Sequence, residues 1–296
     1  MPPADDAPQF FLFLPQMRFD LEAIEERAIV AERSGFHGIA FMDHLAPPSA
    51  GSQPMYEAMT LATLIAVRTE RLIVSHLVLC DALRHPAVLA RQAVTLDHLS
   101  GGRFELGIGA GSVPEELIAF GVTDTSAGAR VTRLGESLEL LGALWTGDPV
   151  TFSGQYFQLD CAGQSPVPLG RIPIVIGGGR PRMLGLVRRH ADWWNLQLDR
   201  LGQLDSLRPE VGDARVSIQQ MVGFVPDERR RAEIETDATR RFGTMGGGLV
   251  VGDAAQLVDQ FGALRERGVE RFYIWFADFA RIETLESFGD GVIAAM

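Results

Sequence analysis

The stretch Gly101-Gly-Arg-Phe-Glu-Leu-Gly-Ile-Gly-Ala-Gly111 decides how this chain is read. A short apolar run breaks into alternating glycines and then into a helix-like segment, Pro114-Glu-Glu-Leu117. Glycine has no Cβ, so glycines at the end of a buried strand bring main chain close to something: the ring or phosphate of a ligand, or simply a tight strand exit. A second exit has the same form. Ile172-Pro-Ile-Val-Ile176 runs into Gly177, Gly178 and Gly179 and then Arg180-Pro-Arg182, which reads as a helix start. Two such exits favour a ligand. Main-chain N–H groups at that helix start, with Arg180 and Arg182 beside them, suit a phosphate; surface arginines are the plain alternative. Neither exit is a dinucleotide fingerprint, because Ser112 stands where that turn wants its third glycine.

Working outward, apolar strand-like runs recur at Phe10 to Leu14, Gly38 to Met42, Leu72 to Leu79, Phe104 to Ile108, Ile172 to Ile176, Trp193 to Leu196, Val216 to Val225 and Phe272 to Phe276. Between them lie segments of helical period at 21–33, 56–68, 87–99, 133–145, 183–190, 228–242 and 255–267, with a last one at 282–295. Strand and helix alternate, so the sheet is parallel. Eight units in one chain predict an α/β fold, a (β/α)8 TIM barrel occupying residues 1–296 as a single domain, with an open doubly wound sheet as the alternative. One stretch, about 147–170, breaks the rhythm with proline, glycine and β-branched residues and reads as an inserted hairpin.

Composition narrows the chemistry. The 296 residues include 27 basic side chains, all arginine, so a P-loop lysine, a Schiff-base lysine and pyridoxal chemistry are excluded. A net charge of −11 argues against nucleic acid or an anionic membrane as partner. The two cysteines, Cys80 and Cys161, have no metal-ligand spacing, so no metal is expected and a reduced, cytoplasmic protein is. Residues 1–9 lack the cationic start of a signal peptide, and no apolar run reaches the length of a membrane span.

Asp43-His44 follows the second strand directly and so falls on the face where barrel enzymes place their chemistry. An Asp and a His at one strand end can hold an imidazole ready to pass a proton; a helix cap and a half-buried histidine are the competing interpretation. The loop Pro47 to Pro54 beyond reads as a lid. In the third strand, Ser75 and His76 are polar residues in an apolar run. They mark either a backbone distortion and ring contact under a cofactor, or a barrel-interior histidine satisfied by a neighbour.

Several stretches together resemble the bacterial luciferase-like flavin and deazaflavin oxidoreductases. They are Glu32-Arg-Ser-Gly-Phe-His-Gly-Ile-Ala-Phe-Met-Asp-His-Leu45, Arg84-His-Pro86, Thr95 to Gly111, Phe120-Gly121, Pro173 to Gly179, His190-Ala-Asp-Trp-Trp-Asn195 and Gly268-Val-Glu-Arg-Phe-Tyr273. The resemblance covers nearly the whole chain. It implies a barrel with insertions, often a homodimer, that holds a reduced flavin-type ring at the strand ends. The Asp-His pair is similar to the branch that uses the deazaflavin coenzyme F420, in which this histidine lies near the reacting ring carbon. That implies His44 as proton donor or acceptor, Asp43 orienting it, and hydride transfer to or from a small organic substrate. The resemblance also implies a third-strand bulge at Ser75, His76 and Leu77 behind the ring. Gly109, Ala110, Gly111 and Ser112 would lie against the ring, and Gly177, Gly178, Gly179 and Arg180 at the phosphate. Ser112 replaces the large aromatic or acid usual there. The alternatives are an oxygen-using monooxygenase that takes reduced FMN and a non-catalytic flavin-binding barrel.

Overall fold

The computed structural model describes residues 7–48, 51, 53–123, 125–245 and 248–296. Its strands are β1 (Gln9–Phe13), β2 (Gly38–Phe41), β3 (Ile73–His76), β4 (Leu79–Cys80), β5 (Leu106–Gly109), β6 (Val150–Ser153), β7 (Gln158–Ala162), β8 (Ile174–Gly177), β9 (Trp193–Leu196), β10 (Arg215–Phe224), β11 (Leu249–Gly252) and β12 (Val269–Phe276). Among these strands all pairings but the antiparallel hairpin β6–β7 are parallel, in the order β3-β2-β1-β12-β10-β9-β8-β5-β4 with β11 beside β10. The two ends of that path, β3 and β4, are halves of one strand parted at the cis peptide Leu77-Val78. Val74 of β3 bridges to Phe104 just ahead of β5, and β4 pairs with β5 through Leu79 and Cys80. The sheet therefore comes round on itself as a nearly closed barrel.

The eight expected strands are the eight staves, with the third interrupted. A ninth strand was not expected: β11 pairs with the C-terminal half of β10, where β10 outruns β9. Four residues carry no alternation long enough to announce it.

Helices surround the barrel: α1 (Leu21–Arg33), α2 (Ala58–Arg68), α3 (Pro86–Ser100), α4 (Pro114–Ala119), α5 (Ala127–Leu144), α6 (Pro181–His190), α7 (Leu204–Leu207), α8 (Arg231–Phe242), α9 (Ala254–Glu266) and α10 (Ile282–Gly291). Their ends follow local chemistry. Asp20 and Ser126 cap α1 and α5 through their side chains, Asp253 and Gln256 form a capping box on α9, and α3 runs from Pro86 at its first turn to Gly101 in the left-handed region. Among the described residues no helix is long and apolar enough to cross a membrane.

Strand alternation sorts the core. Phe10, Phe272 and Ile39 face the helices, where Phe10 meets Phe261, Phe272 and Phe288 at ring distances of 5.3, 5.5 and 5.9 Å. Phe11, Phe13, Ala40 and Tyr273 face inward, packed with Met42, Ile73, Leu77 and Trp275. At the N-terminal end of the barrel the guanidinium of Arg271 is buried between Trp193 and Phe11, 3.7 and 4.1 Å from their ring centres. It donates to Glu105 at 2.5 and 3.0 Å, to Gln9 at 2.7 and 2.9 Å and to the Tyr273 hydroxyl at 3.1 Å. Burial pushes that phenol up to about 12, so it stays protonated.

His76 points outward, correcting the alternative that placed it inside the barrel. Its Nε2 donates to the Ala58 carbonyl at 3.2 Å and its ring meets Phe104 edge-on. Burial pushes the imidazole down to about 4, so it is neutral in the folded protein.

Two outcomes follow from these buried groups. Glu105→Ala strands the Arg271 cation and lowers stability by about 3–5 kcal/mol in urea unfolding; a loss under about 1 kcal/mol shows that the pair does not hold the barrel end. For His76 the folded pKa lies below the unfolded one, so its contribution is complete above about pH 6.5 and is lost as pH falls toward about 4. His76→Gln, which cannot titrate, should lose less stability than the wild type between pH 6.5 and 4; parallel slopes in the two proteins contradict the assignment.

Candidate active site

The C-terminal strand ends gather the residues singled out from sequence, but not in the expected pairs. Met42 ends the inward-facing series of β2, and Asp43 and His44 then diverge. The Asp43 carboxylate turns toward the third strand, accepting the Cys80 N–H at 2.8 Å and both ends of the Arg84 guanidinium, NH2 at 3.0 Å. Arg84 also reaches Glu57 at 2.6 Å. Glu57 in turn caps α2 by accepting the Thr60 N–H at 2.7 Å. Burial acts to raise the Glu57 carboxyl, but hydrogen bonds from Thr60 and Arg84 outweigh it and hold the group down at about 2. Asp43 is thus the anchor of a buried ion network, and the expectation that it orients His44 is corrected.

His44 is held instead by Glu116 on α4, a residue the sequence reading passed over. The imidazole Nδ1 lies 2.8 Å from Glu116 Oε2, while Glu116 Oε1 accepts the N–H groups of Leu45 and Ala46 at 2.5 and 2.9 Å. A carboxylate is acceptor-only, so in the neutral form of the ring Nδ1 carries the proton and Nε2 the lone pair. One carboxylate therefore fixes both the tautomer of His44 and the backbone that follows it.

Below these residues the interrupted third strand bows into β5. A Cβ on Gly107 would lie 1.8 Å from the His76 carbonyl oxygen, and one on Gly109 2.8 Å from Val78 Cγ2. These glycines thus accept neighbouring protein, the tight-packing alternative for the first exit. Gly111, at φ 84°, sits over Cys80 Sγ, and the Ala110 carbonyl accepts from Arg130 Nε at 3.1 Å. Ser112 follows on the exposed side of this turn. Ser75 is buried, Leu77 joins the inward apolar wall, and His76 presents only its main chain to the strand junction.

The second exit is different. Gly177 has open space in front of it, its would-be Cβ meeting nothing nearer than the Asn195 carbonyl at 3.8 Å. Gly178 requires glycine, with φ 128°; its carbonyl accepts from Trp194 Nε1 at 2.7 Å. Gly179 accepts from Arg200 at 3.1 Å, and Arg200 fills the space a side chain would need. Arg180 is exposed at the N-cap of α6 with its guanidinium unengaged among the described residues, whereas Arg182 turns away to Gly128 and Thr132 on α5. The phosphate clamp expected from both arginines is reduced to Arg180, with Arg200 supporting the turn from behind.

These features fit a flat ring carrying a phosphate-bearing tail. Phe13, Met42, Leu77 and Trp275 form an apolar wall, Gly177 leaves a place no side chain fills, and the buried Trp275 Nε1 has no hydrogen-bond partner among the described residues. An orphaned buried donor is costly unless a ligand accepts from it.

The chain is 32% identical over 211 residues to the F420-dependent glucose-6-phosphate dehydrogenase of Nakamurella multipartita, a match covering 67% of this chain and 62% of that protein. It is 33% identical over 179 residues to the enzyme of the same name from Rhodococcus erythropolis, covering 59% and 52%. The chain thus spans less than two thirds of the length of these relatives. Among solved structures, an F420-dependent secondary alcohol dehydrogenase in complex with an F420-acetone adduct superposes with a TM-score of 0.83 at 20% identity over 98% of this chain and 99% of that one. The EDTA monooxygenase of Chelativorans sp. BNC1 gives 0.82 at 17% identity over 98% and 93%. Both likenesses establish the fold. Residues 4–219 match the model of the luciferase-like monooxygenase family, and the chain belongs to that family.

Proposed function

We propose that the protein is an oxidoreductase that uses coenzyme F420 to move a hydride to or from a small organic substrate, with His44 passing the accompanying proton. The observation that carries this reading is the His44–Glu116 contact at the barrel mouth, which leaves Nε2 as the proton-accepting nitrogen. The F420-dependent relatives support the choice of coenzyme. When bound, the deazaflavin supplies or accepts the hydride at its ring carbon.

The rest is positioning by this chain. Phe13, Met42, Leu77 and Trp275 exclude water from one side of the ring site, and the Asp43–Arg84 network holds the ends of the second and third strands together. Gly177, Gly178, Gly179 and Arg180 take the phosphate at the start of α6, where main-chain N–H groups and a free guanidinium favour an anion. Glu116 keeps the His44 ring from rotating, so a proton can be taken from, or returned to, a substrate oxygen without reorganising the site.

A homodimer in the cytoplasm completes the reading. The exposed apolar side chains Val67, Val88 and Leu99 on α2 and α3 support a partner surface, and both cysteines are free thiols. Light scattering should report twice the chain mass, reduced toward one chain by Val88→Arg; a monomeric wild type contradicts the dimer.

Fluorescence titration should show tight binding of F420 and little affinity for FMN. Tight FMN binding together with turnover that stops without air would identify an oxygen-using monooxygenase instead. Single-turnover hydride transfer should fall about 10²- to 10⁴-fold in His44→Ala with little change in F420 affinity. Glu116→Ala should also slow transfer, and the double variant should be no slower than His44→Ala, because Glu116 acts through the imidazole. Additive losses would show that Glu116 has a separate role.

A further inference from the structure

On the barrel end that carries His44, a cleft of about 610 Å³ opens beyond the C-terminal end of β12. Four arginines line it, Arg18, Arg240, Arg241 and Arg281, against two aspartates, Asp237 and Asp278. Both aspartates are already engaged. Asp278 accepts the Ala280 N–H at 3.1 Å and the Thr284 hydroxyl at 2.6 Å, tying down the first turn of α10, and Asp237 takes Arg240 at 2.8 Å. In a chain of net charge −11 this is a local excess of positive charge.

Arg241 is the centre of it. Its NH1 donates to the carbonyls of Phe276 and Ala277 at 3.0 and 2.8 Å, its guanidinium lies 3.6 Å from the centre of the Phe279 ring, and no carboxylate among the described residues is within ion-pair distance. Burial pushes its pKa down to about 10, still charged at neutral pH. The backbone is bent to make this contact. Phe279 and Ala280 are both left-handed, at φ 65° and 54°, a conformation that residues other than glycine rarely adopt. Arg18, itself at φ 71°, approaches the same ring at 5.7 Å. Non-glycine residues held left-handed around a half-buried cation, at Arg18 and at Phe279-Ala280, are what a ligand site retains and a merely stable loop does not need.

One wall of the cleft is tied to the strand end that carries His44. The Arg18 N–H donates to the Pro54 carbonyl at 3.3 Å, and Gln16, two residues earlier, bonds the Met42 carbonyl at 2.6 Å, so the exit of β1 is tied to the segments flanking His44.

We propose that this cleft is the subsite for an oxyanion carried by the substrate, a phosphomonoester or carboxylate borne on the small molecule whose carbon exchanges the hydride. This rests on the oxidoreductase reading above. The volume exceeds that of a bare oxyanion, so the group enters with part of its scaffold. The Nε and NH2 edge of Arg241, not used by the carbonyl contacts, supplies the paired donors that such a group accepts.

Inorganic phosphate is the first probe, because its binding requires neither coenzyme nor turnover. Titrated at constant ionic strength, it should produce a saturable change in tryptophan fluorescence, Trp275 lying beside Arg241 at 5.8 Å. Acetate in parallel distinguishes carboxylate from phosphate preference. Arg241→Gln and, in case that variant fails to fold, the exposed Arg281→Gln should each weaken the response about tenfold or more while leaving the F420 Kd unchanged. In turnover, alcohols carrying a phosphate or carboxylate should have KM values at least tenfold below those of their neutral counterparts, a gap that narrows in both variants. No saturable response to either anion, or a response unaffected by both substitutions, overturns the subsite. If the anion binds and the arginine variants weaken it but F420 does not bind, the anion site stands and the oxidoreductase reading falls.

Discussion

The approach of the third strand to β5 is the constraint on which the rest of the molecule depends. The His76 carbonyl occupies the space that a Cβ at residue 107 would take, and Val78 presses on residue 109 in the same way. Only glycine at both positions lets the interrupted strand lie against β5 and close the sheet. That interruption in turn sets the mouth of the barrel. It brings the Cys80 N–H onto Asp43, sends Leu77 to the inward wall and carries the chain round to Arg84, whose guanidinium joins Asp43 to Glu57. A larger residue at 107 would disturb closure and the catalytic end together.

The two ends of the barrel use buried charge differently. At the N-terminal end, Arg271 and Glu105 satisfy one another in a compact pair that also engages Gln9 and Tyr273, and the aromatic faces around it leave little for a ligand to do. At the C-terminal end the acids are divided among tasks: Asp43 locks strand ends, Glu116 fixes an imidazole and Asp278 ties the loop before α10 to Thr284 in its first turn. Among the described residues that division leaves Arg241 without an acid of its own, and His44 with a second ring nitrogen not engaged by Glu116. Stability lies at one end and unspent binding capacity at the other, as barrel enzymes generally arrange it.

Much of this was legible in the residues. The period of apolar positions located all eight staves, and β9 and α1 match to the residue because Trp193–Leu196 and Leu21–Arg33 are bounded by clear breaks, Asp20 among them. The break in the third strand was signalled by polar Ser75 and His76 in an apolar run and by the family resemblance, which put a bulge at Ser75, His76 and Leu77; the strand parts at Leu77-Val78. The pairing of Asp43 with His44 failed for a reason available in advance: neighbours at a strand end point to opposite sides, so adjacency in sequence argues against contact. Glu116 is 72 residues from His44 and stands beside Glu115 in a short helix, so only the fold could show which carboxylate meets the ring. The glycines of the first exit were rightly singled out as sites of close approach. What approaches Gly107 and Gly109 is the protein itself.

The central claim is that Glu116 holds His44 as a proton acceptor facing the barrel mouth. The ring-nitrogen signals of His44 in 15N NMR test it without coenzyme or substrate. In the neutral form of the ring, the account predicts a protonated Nδ1 and a bare Nε2, with the preference weakened in Glu116→Ala. A wild-type ring protonated at Nε2 would contradict it.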